Sequence, residues 1–156
     1  VYISLTRDPA PFLYDESYPF AIGRAVTVRE GRDATIVANR DMVAHALIAA
    51  ENMSREGLDV RVLDCHTLKP LDEEAILRAA HETGAIVTAE NNVYYGGLGS
   101  AVAELLGEQR PTPFKRIGVR DTFAESGPTL AVMDKYGLSA RHIVAAVHDV
   151  LARKAR

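Results

Sequence analysis

Two runs, Ala34-Thr35-Ile36-Val37-Ala38 and Ala85-Ile86-Val87-Thr88-Ala89, constrain this chain more than anything else in it. Both are apolar nearly throughout and lack the alternation of a strand with one wet face. They read as strands covered on both sides, which belong to a parallel sheet flanked by helices. The intervening segments supply those helices. Asp41 is a candidate N-cap for a stripe of Val43, Ala46, Leu47, Ala50 and Met53 that ends at Gly57. Val60-Arg61-Val62-Leu63 reads as a further strand. Asp72 then caps a helix carrying Ile76, Leu77 and Ala80, closed by Gly84. After Gly97-Leu98-Gly99 comes a helix with Val102, Leu105 and Leu106 inward and Gly107 past its end. Phe114 to Val119 makes a last strand.

Two helices close the chain. The first runs from about Pro128 to Tyr136, capped by Ser126 and ended by Gly137. The second is capped by Ser139, with Ile143, Val144, Val147, Val150 and Leu151 as its stripe and Arg153, Lys154 and Arg156 suiting its dipole. Near the start, Ala25 to Arg29 reads as a short strand and Glu30-Gly31-Arg32-Asp33 as a hairpin-like turn, so this first strand is expected to run antiparallel. The predicted fold is a three-layer α/β/α sandwich whose mostly parallel sheet has about five strands, one of them antiparallel.

Length and composition narrow the function classes. At 156 residues the chain has room for one ordinary core, and 47% hydrophobic with 25% charged residues is a globular balance. A net charge of -3 provides no basic field for nucleic acid, and no apolar run reaches the ~20 residues of a membrane helix. Cys65, the single cysteine, favours a reducing compartment, and a cytoplasmic location is expected. Val1-Tyr2-Ile3-Ser4-Leu5 alternates like a strand already in progress, without a charged leader before it, and reads as part of something longer. Thr6 to Phe20 holds Pro9, Pro11 and Pro19 among Asp8, Asp15 and Glu16, and reads as a linker laid over a surface. Phe12, Tyr14, Tyr18 and Phe20 are its candidate anchors.

Ligands of open α/β sheets sit beyond the carboxyl ends of the strands. Those ends here are Asn39-Arg40-Asp41, Cys65-His66-Thr67, Glu90-Asn91-Asn92 and Arg120-Asp121. The third, continuing to Gly96-Gly97-Leu98-Gly99-Ser100, could offer an anion the free amides of a helix start. The same glycines equally permit close helix–sheet or subunit packing, which is weighed ahead. Asn91, Asn92, Gly96, Gly97, Gly99 and His66 are therefore candidates for an anion or interface loop. Cys65 with His66 provides too few ligands for zinc, and Cys65 is expected to pack as a small hydrophobe. His45, His81, His142 and His148 fall at no ligand spacing and read as surface or contact residues. Asp121 and Glu125 could serve as acid/base groups, but nothing near them in sequence would shift their pKa values. No P-loop, Gly-x-Ser-x-Gly or His-Glu-x-x-His pattern is present.

The order of four segments adds what spacing does not. Leu63-Asp64-Cys65-His66-Thr67-Leu68-Lys69-Pro70-Leu71-Asp72, Glu90-Asn91-Asn92 through Gly96 to Val102, Phe123 to Gly127, and Lys135-Tyr136-Gly137-Leu138-Ser139-Ala140 closely resemble the C-terminal domain of transketolase-family enzymes. The resemblance covers Ala21 to Lys154, so residues 21–156 would be that domain and 1–20 the end of a preceding pyrimidine-binding domain with its linker. It implies a thiamine-diphosphate enzyme moving two-carbon ketol units between sugar phosphates, with Mg²⁺ and the cofactor held elsewhere in the complete protein. This domain would contribute structure and dimerisation, and would be inactive alone. No catalytic, cofactor-binding or metal-binding residue of the family carries over to this sequence. Implied partners are the N-terminal and pyrimidine-binding domains, in a homodimer or heterotetramer. The alternative is the corresponding domain of a 2-oxo acid dehydrogenase β subunit or of deoxyxylulose-phosphate synthase, acting as a docking or regulatory anion-binding module. The wording from His66 to Pro70 and Asn91-Asn92 resembles transketolase more, in particular the two-subunit bacterial kind. One departure stands out: the family often has a glycine where this sequence has Asn39-Arg40-Asp41, so Asn39 is expected to take up the positive φ of that turn.

Overall fold

The computed structural model describes residues 1–6 and 11–155. Asp8, Pro9 and Arg156, invoked above for the linker and the last helix, lie outside the described residues. Five strands and five helices follow in the order β1 (Val26–Arg29), β2 (Ala34–Ala38), α1 (Met42–Arg55), β3 (Val60–Asp64), α2 (Glu73–Thr83), β4 (Ile86–Val93), α3 (Leu98–Gln109), β5 (Phe114–Val119), α4 (Thr129–Lys135) and α5 (Ala140–Lys154).

The strands form one sheet in the order β1-β3-β2-β4-β5. Four run parallel, and β1 lies antiparallel against β3. The antiparallel first strand is as expected, but residues 30–33 do not close a hairpin, because β1 pairs with β3 rather than with β2. All five residues of β2 are buried, as a central strand covered twice requires. On one face Ile36, Val62 and Val87 meet Met42, Ala46 and Met53 of α1 and Ile143, Val147 and Val150 of α5. On the other, Val37, Leu63 and Ile86 meet Ile76 and Ala79 of α2 and Leu98, Val102 and Leu106 of α3. This is the three-layer α/β/α sandwich. Thr35, the polar member of β2, is satisfied by the Thr83 hydroxyl at 2.9 Å.

Caps divide the helices into two groups. Asp72 performs as its position suggests: its Oδ1 accepts from Ala75 N at 3.1 Å, and its Oδ2 from Ala25 N at 2.8 Å. Gly84 ends α2 in the left-handed region at φ 63°. The other three expected caps do not form. Asp41 adopts helical angles and turns its carboxylate to Asn91, Ser139 donates to Asp134 at 2.7 Å, and Pro128 rather than Ser126 precedes α4. Gly107 is also not past the end of α3, which continues to Gln109 and stops before Pro111.

Arg40, not Asn39, takes the positive φ after β2, at 54°. Asn39 is held in line with the sheet, since its N–H still bonds Ala89 O and its carbonyl accepts Met42 N. Val1 to Leu5 is exposed and joins no strand, because alternation makes a strand only where a neighbouring edge pairs with it. The linker's aromatics are more effective. Tyr14 stacks on Tyr18 at 4.1 Å, Phe20 rests on His66 at 4.7 Å, and the Tyr14 hydroxyl donates to Asp64 at 2.7 Å. Phe12 anchors nothing and is fully exposed.

Candidate functional site

In this sheet the chain winds outward in both directions from β2, towards β3 on one side and β4 on the other. The crevice between the carboxyl ends of β2 and β4 is therefore the place where a fold of this type receives a ligand. Here it is bridged by protein: Asn91 Nδ2 donates to Asp41 Oδ2 at 2.9 Å, directly across it.

Beside that bridge β4 departs from regular pairing. Ala89 faces Ile117 and Val93 faces Val119, so four steps on β4 oppose two on β5. Such a bulge re-aims side chains. Glu90, just inside it, is 1% exposed and turns to the start of α3. Its Oε2 accepts from Leu98 N at 2.9 Å and its Oε1 from Gly99 N at 2.7 Å. The first-turn amides that could hold an external anion are thus bonded to an internal one. Burial pushes the Glu90 carboxyl upward, opposed by the two amide bonds and by the nearby Arg116 charge.

Glycine is required where the loop meets this carboxylate. A Cβ on Gly97 would lie 2.0 Å from Glu90 Oε2, and one on Gly99 would lie 2.9 Å from Thr88 Oγ1. Gly96 adopts φ 73° with nothing near it, so its need is conformational. The loop is latched from above: Ser100 Oγ donates to Tyr94 O at 2.9 Å and Arg116 Nη1 to the same carbonyl at 3.1 Å. Asn92 is exposed and its Oδ1 accepts the Val93 amide at 3.2 Å. The sixth candidate, His66, is not part of this loop. It follows β3, on the far side of β2, where its Nδ1 meets Thr67 Oγ1 at 2.9 Å.

The remaining strand ends provide no reacting group. Cys65 is 2% exposed, and burial together with the Asp64 and Asp72 charges pushes its thiol up to about 12, which leaves it protonated and unreactive at neutral pH. Asp64 is also raised, first by burial, against the lowering effect of the Tyr14 hydroxyl. Asp121 and Glu125 are exposed, and Glu125 is ion-paired with Lys135. Among the described residues no group of three or more His, Cys, Asp or Glu is placed to hold a metal ion. The residues present do not fit a magnesium-bound diphosphate: such a group needs a carboxylate cluster and free amides, and here the amides are occupied. Sequence reasoning placed Glu90 and Asp41 at the strand ends that face a ligand but assigned neither to the site. The available signal was an acidic residue directly after a buried strand and opposite a glycine-rich helix start.

These features coincide with a specific kinship. The transketolase C-terminal domain family matches residues 23–143. The chain is 53% identical over 154 residues to the 6-deoxy-6-sulfo-D-fructose transketolase subunit SqwH of Clostridium sp. (strain MSTE9), covering 99% of this chain and 48% of that protein. It is 38% identical over 143 residues to 1-deoxy-D-xylulose-5-phosphate synthase of Pelotomaculum thermopropionicum, covering 90% of this chain and 22% of that protein. A solved structure described as a split gene transketolase, inactive beta4 tetramer, superposes with a TM-score of 0.91 at 47% identity, over 95% of this chain and 48% of that one. The chain thus spans about half the length of that transketolase subunit and of that split transketolase, and less of the synthase, and it belongs to the transketolase C-terminal domain family.

Proposed function

We propose that this chain is the structural and subunit-association domain of a thiamine-diphosphate-dependent transketolase that moves two-carbon ketol units between sugar phosphates, and that it is inactive alone. The observation that carries this reading is the closed state of its own crevice. Asp41 is bonded to Asn91 and Glu90 to the α3 amides, so the place where this fold would hold a cofactor holds side chains instead. The complete enzyme would then bind thiamine diphosphate and Mg²⁺ through other parts of the protein. The start of the family match at residue 23 supports a domain boundary at 20/21, with residues 1–20 connecting to the pyrimidine-binding domain.

Likeness to a transketolase subunit and to a β4 tetramer supports a partner chain and an oligomer, as homodimer or heterotetramer. Fully exposed Phe123 and largely exposed Leu130 and Tyr95 are suited to such contacts. No helix among the described residues is long and apolar enough to cross a membrane. The buried, unpaired Cys65 supports a reducing, cytoplasmic setting. A second reading, the equivalent domain of a deoxyxylulose-phosphate synthase, is favoured by the kinship with that enzyme.

The test is an assay with thiamine diphosphate, Mg²⁺ and xylulose 5-phosphate plus an aldose phosphate acceptor. The isolated chain should give no turnover, and the complete protein should transfer the ketol unit. Ketol transfer by the chain alone would refute the proposal. Activity of the complete protein only with pyruvate and glyceraldehyde 3-phosphate would favour the synthase.

A further inference from the structure

β5 is the outer parallel strand, and its far end leaves a hollow of about 180 Å³ against the first half of α5 and the turn from α4. Lys115, Arg120 and His142 line it, with the rings of Tyr94 and Tyr136 and the small side chain of Ala145. No carboxylate lines it. The carboxylates beside it are already engaged. Asp149 receives Lys115 at 2.7 Å and Arg153 at 3.4 Å, leaving one positive charge in excess, while Asp134 receives Arg141 at 2.6 Å and the Ser139 hydroxyl at 2.7 Å.

Arg120 adds a second positive charge, and among the described residues no carboxylate comes within 4.0 Å of it. Its guanidinium lies 5.9 Å from the centroid of the Tyr94 ring, which also carries Arg116 at 4.8 Å. Tyr94 is itself fixed, by its hydroxyl to Arg116 O and by its amide to Val119 O, both at 2.9 Å. A guanidinium offers an N–H edge for a planar, paired contact with an oxyanion. The hollow is smaller than the ~300 Å³ at which pockets for drug-sized ligands begin, which limits the ligand to one anionic group with a short carbon tail.

We propose that this hollow is a binding site for a small tetrahedral oxyanion, a phosphate or sulfonate group, with Arg120 as its paired hydrogen-bond donor and Lys115 as the second charge. The site is independent of the closed crevice between β2 and β4 and of the assembly role proposed above. Its ligand is a free ion or the terminal group of a short phosphorylated or sulfonated carbon chain, and the two sources are separable by experiment.

The complete protein, at constant ionic strength, is titrated calorimetrically with inorganic phosphate, methanesulfonate and glycerol 3-phosphate. Saturable binding that Arg120→Gln weakens by about tenfold, the effect of losing one charge-assisted pair, supports the site. Ala145→Glu, which places a carboxylate at the mouth from an exposed helix position, should abolish that binding without altering the unfolding midpoint. Arg110→Gln, at an exposed arginine after α3, should leave it unchanged. Tighter binding of glycerol 3-phosphate than of phosphate identifies the chain-borne group as the ligand, and equal binding identifies the free ion. Absence of saturable binding, binding that survives both Arg120→Gln and Ala145→Glu, or equal losses in Arg120→Gln and Arg110→Gln would overturn the proposal.

Discussion

Carboxylates in this domain divide by environment into two sets with opposite responses to acid. Asp134 is held well below the usual carboxylate range, first by its hydrogen bonds from Arg141, and Asp149 is lowered chiefly by the Lys115 ammonium. Their stabilisation is present above the unfolded values and is lost as pH falls through the folded ones. Glu90 and Asp64 are raised, first by burial. For these the folded state holds the proton more tightly, so their contribution is complete below the unfolded values near 4 and is lost as pH rises through the folded ones. Asp64→Asn keeps an oxygen for the Tyr14 hydroxyl and removes the buried charge. Urea midpoints measured from pH 4 to 7 should therefore fall less steeply for Asp64→Asn than for the parent, and an unchanged slope would assign the effect elsewhere. Residues of this kind were the least legible in the sequence. Asp41, Asp72 and Ser139 all look like N-caps, yet only Asp72 accepts from a backbone amide of its own helix, since the Asp41 carboxylate turns to Asn91 and the Ser139 hydroxyl to the side chains of Asp134 and His142. A short polar side chain chooses between its local backbone and a tertiary partner, and only the folded chain shows which is nearer.

At the scale of elements the reading was much closer. Buried strands and helical stripes depend on periodicity, which is local, and every predicted strand from β1 to β5 and every predicted helix is present within a few residues. Pairing partners and bulges are non-local, which is why the hairpin expected between β1 and β2 is absent and why the strand expected over Ala85 to Ala89 instead runs on, through a bulge, to Val93. Glycines show the same division within one helix. Gly97 stands at the N-terminus of α3 against Glu90, where a methyl group would collide with the carboxylate, whereas Gly107 stands inside α3 with nothing within 4 Å. Gly97→Ala should lower stability by roughly 2 kcal/mol or more, and Gly107→Ala should raise it by about 0.5–1 kcal/mol through helix propensity and a less free unfolded chain. Paired denaturant titrations check both signs. Equal effects would mean that α3 does not discriminate between its two ends.

The whole molecule keeps its apolar cores on the two faces of one sheet and leaves other large side chains in water. Phe123 is 100% and Leu130 71% exposed, and both lie in or beside the segment joining β5 to α5. If these residues hold subunits together, Phe123→Asp combined with Leu130→Asp should shift sedimentation of the complete protein towards smaller species while the unfolding midpoint of the domain stays unchanged. Unaltered sedimentation would place the contact on another surface. The laced crevice between β2 and β4 has a different consequence. A sheet wound outward from one strand generates a cleft at its turning point whether or not any ligand uses it. In this domain Asp41 and Asn91 span that cleft, and Glu90 beside them is bonded to the start of α3. Asp41→Ala and Asn91→Ala would remove the bond that spans it, so the cleft is kept shut by side chains and not by the path of the backbone.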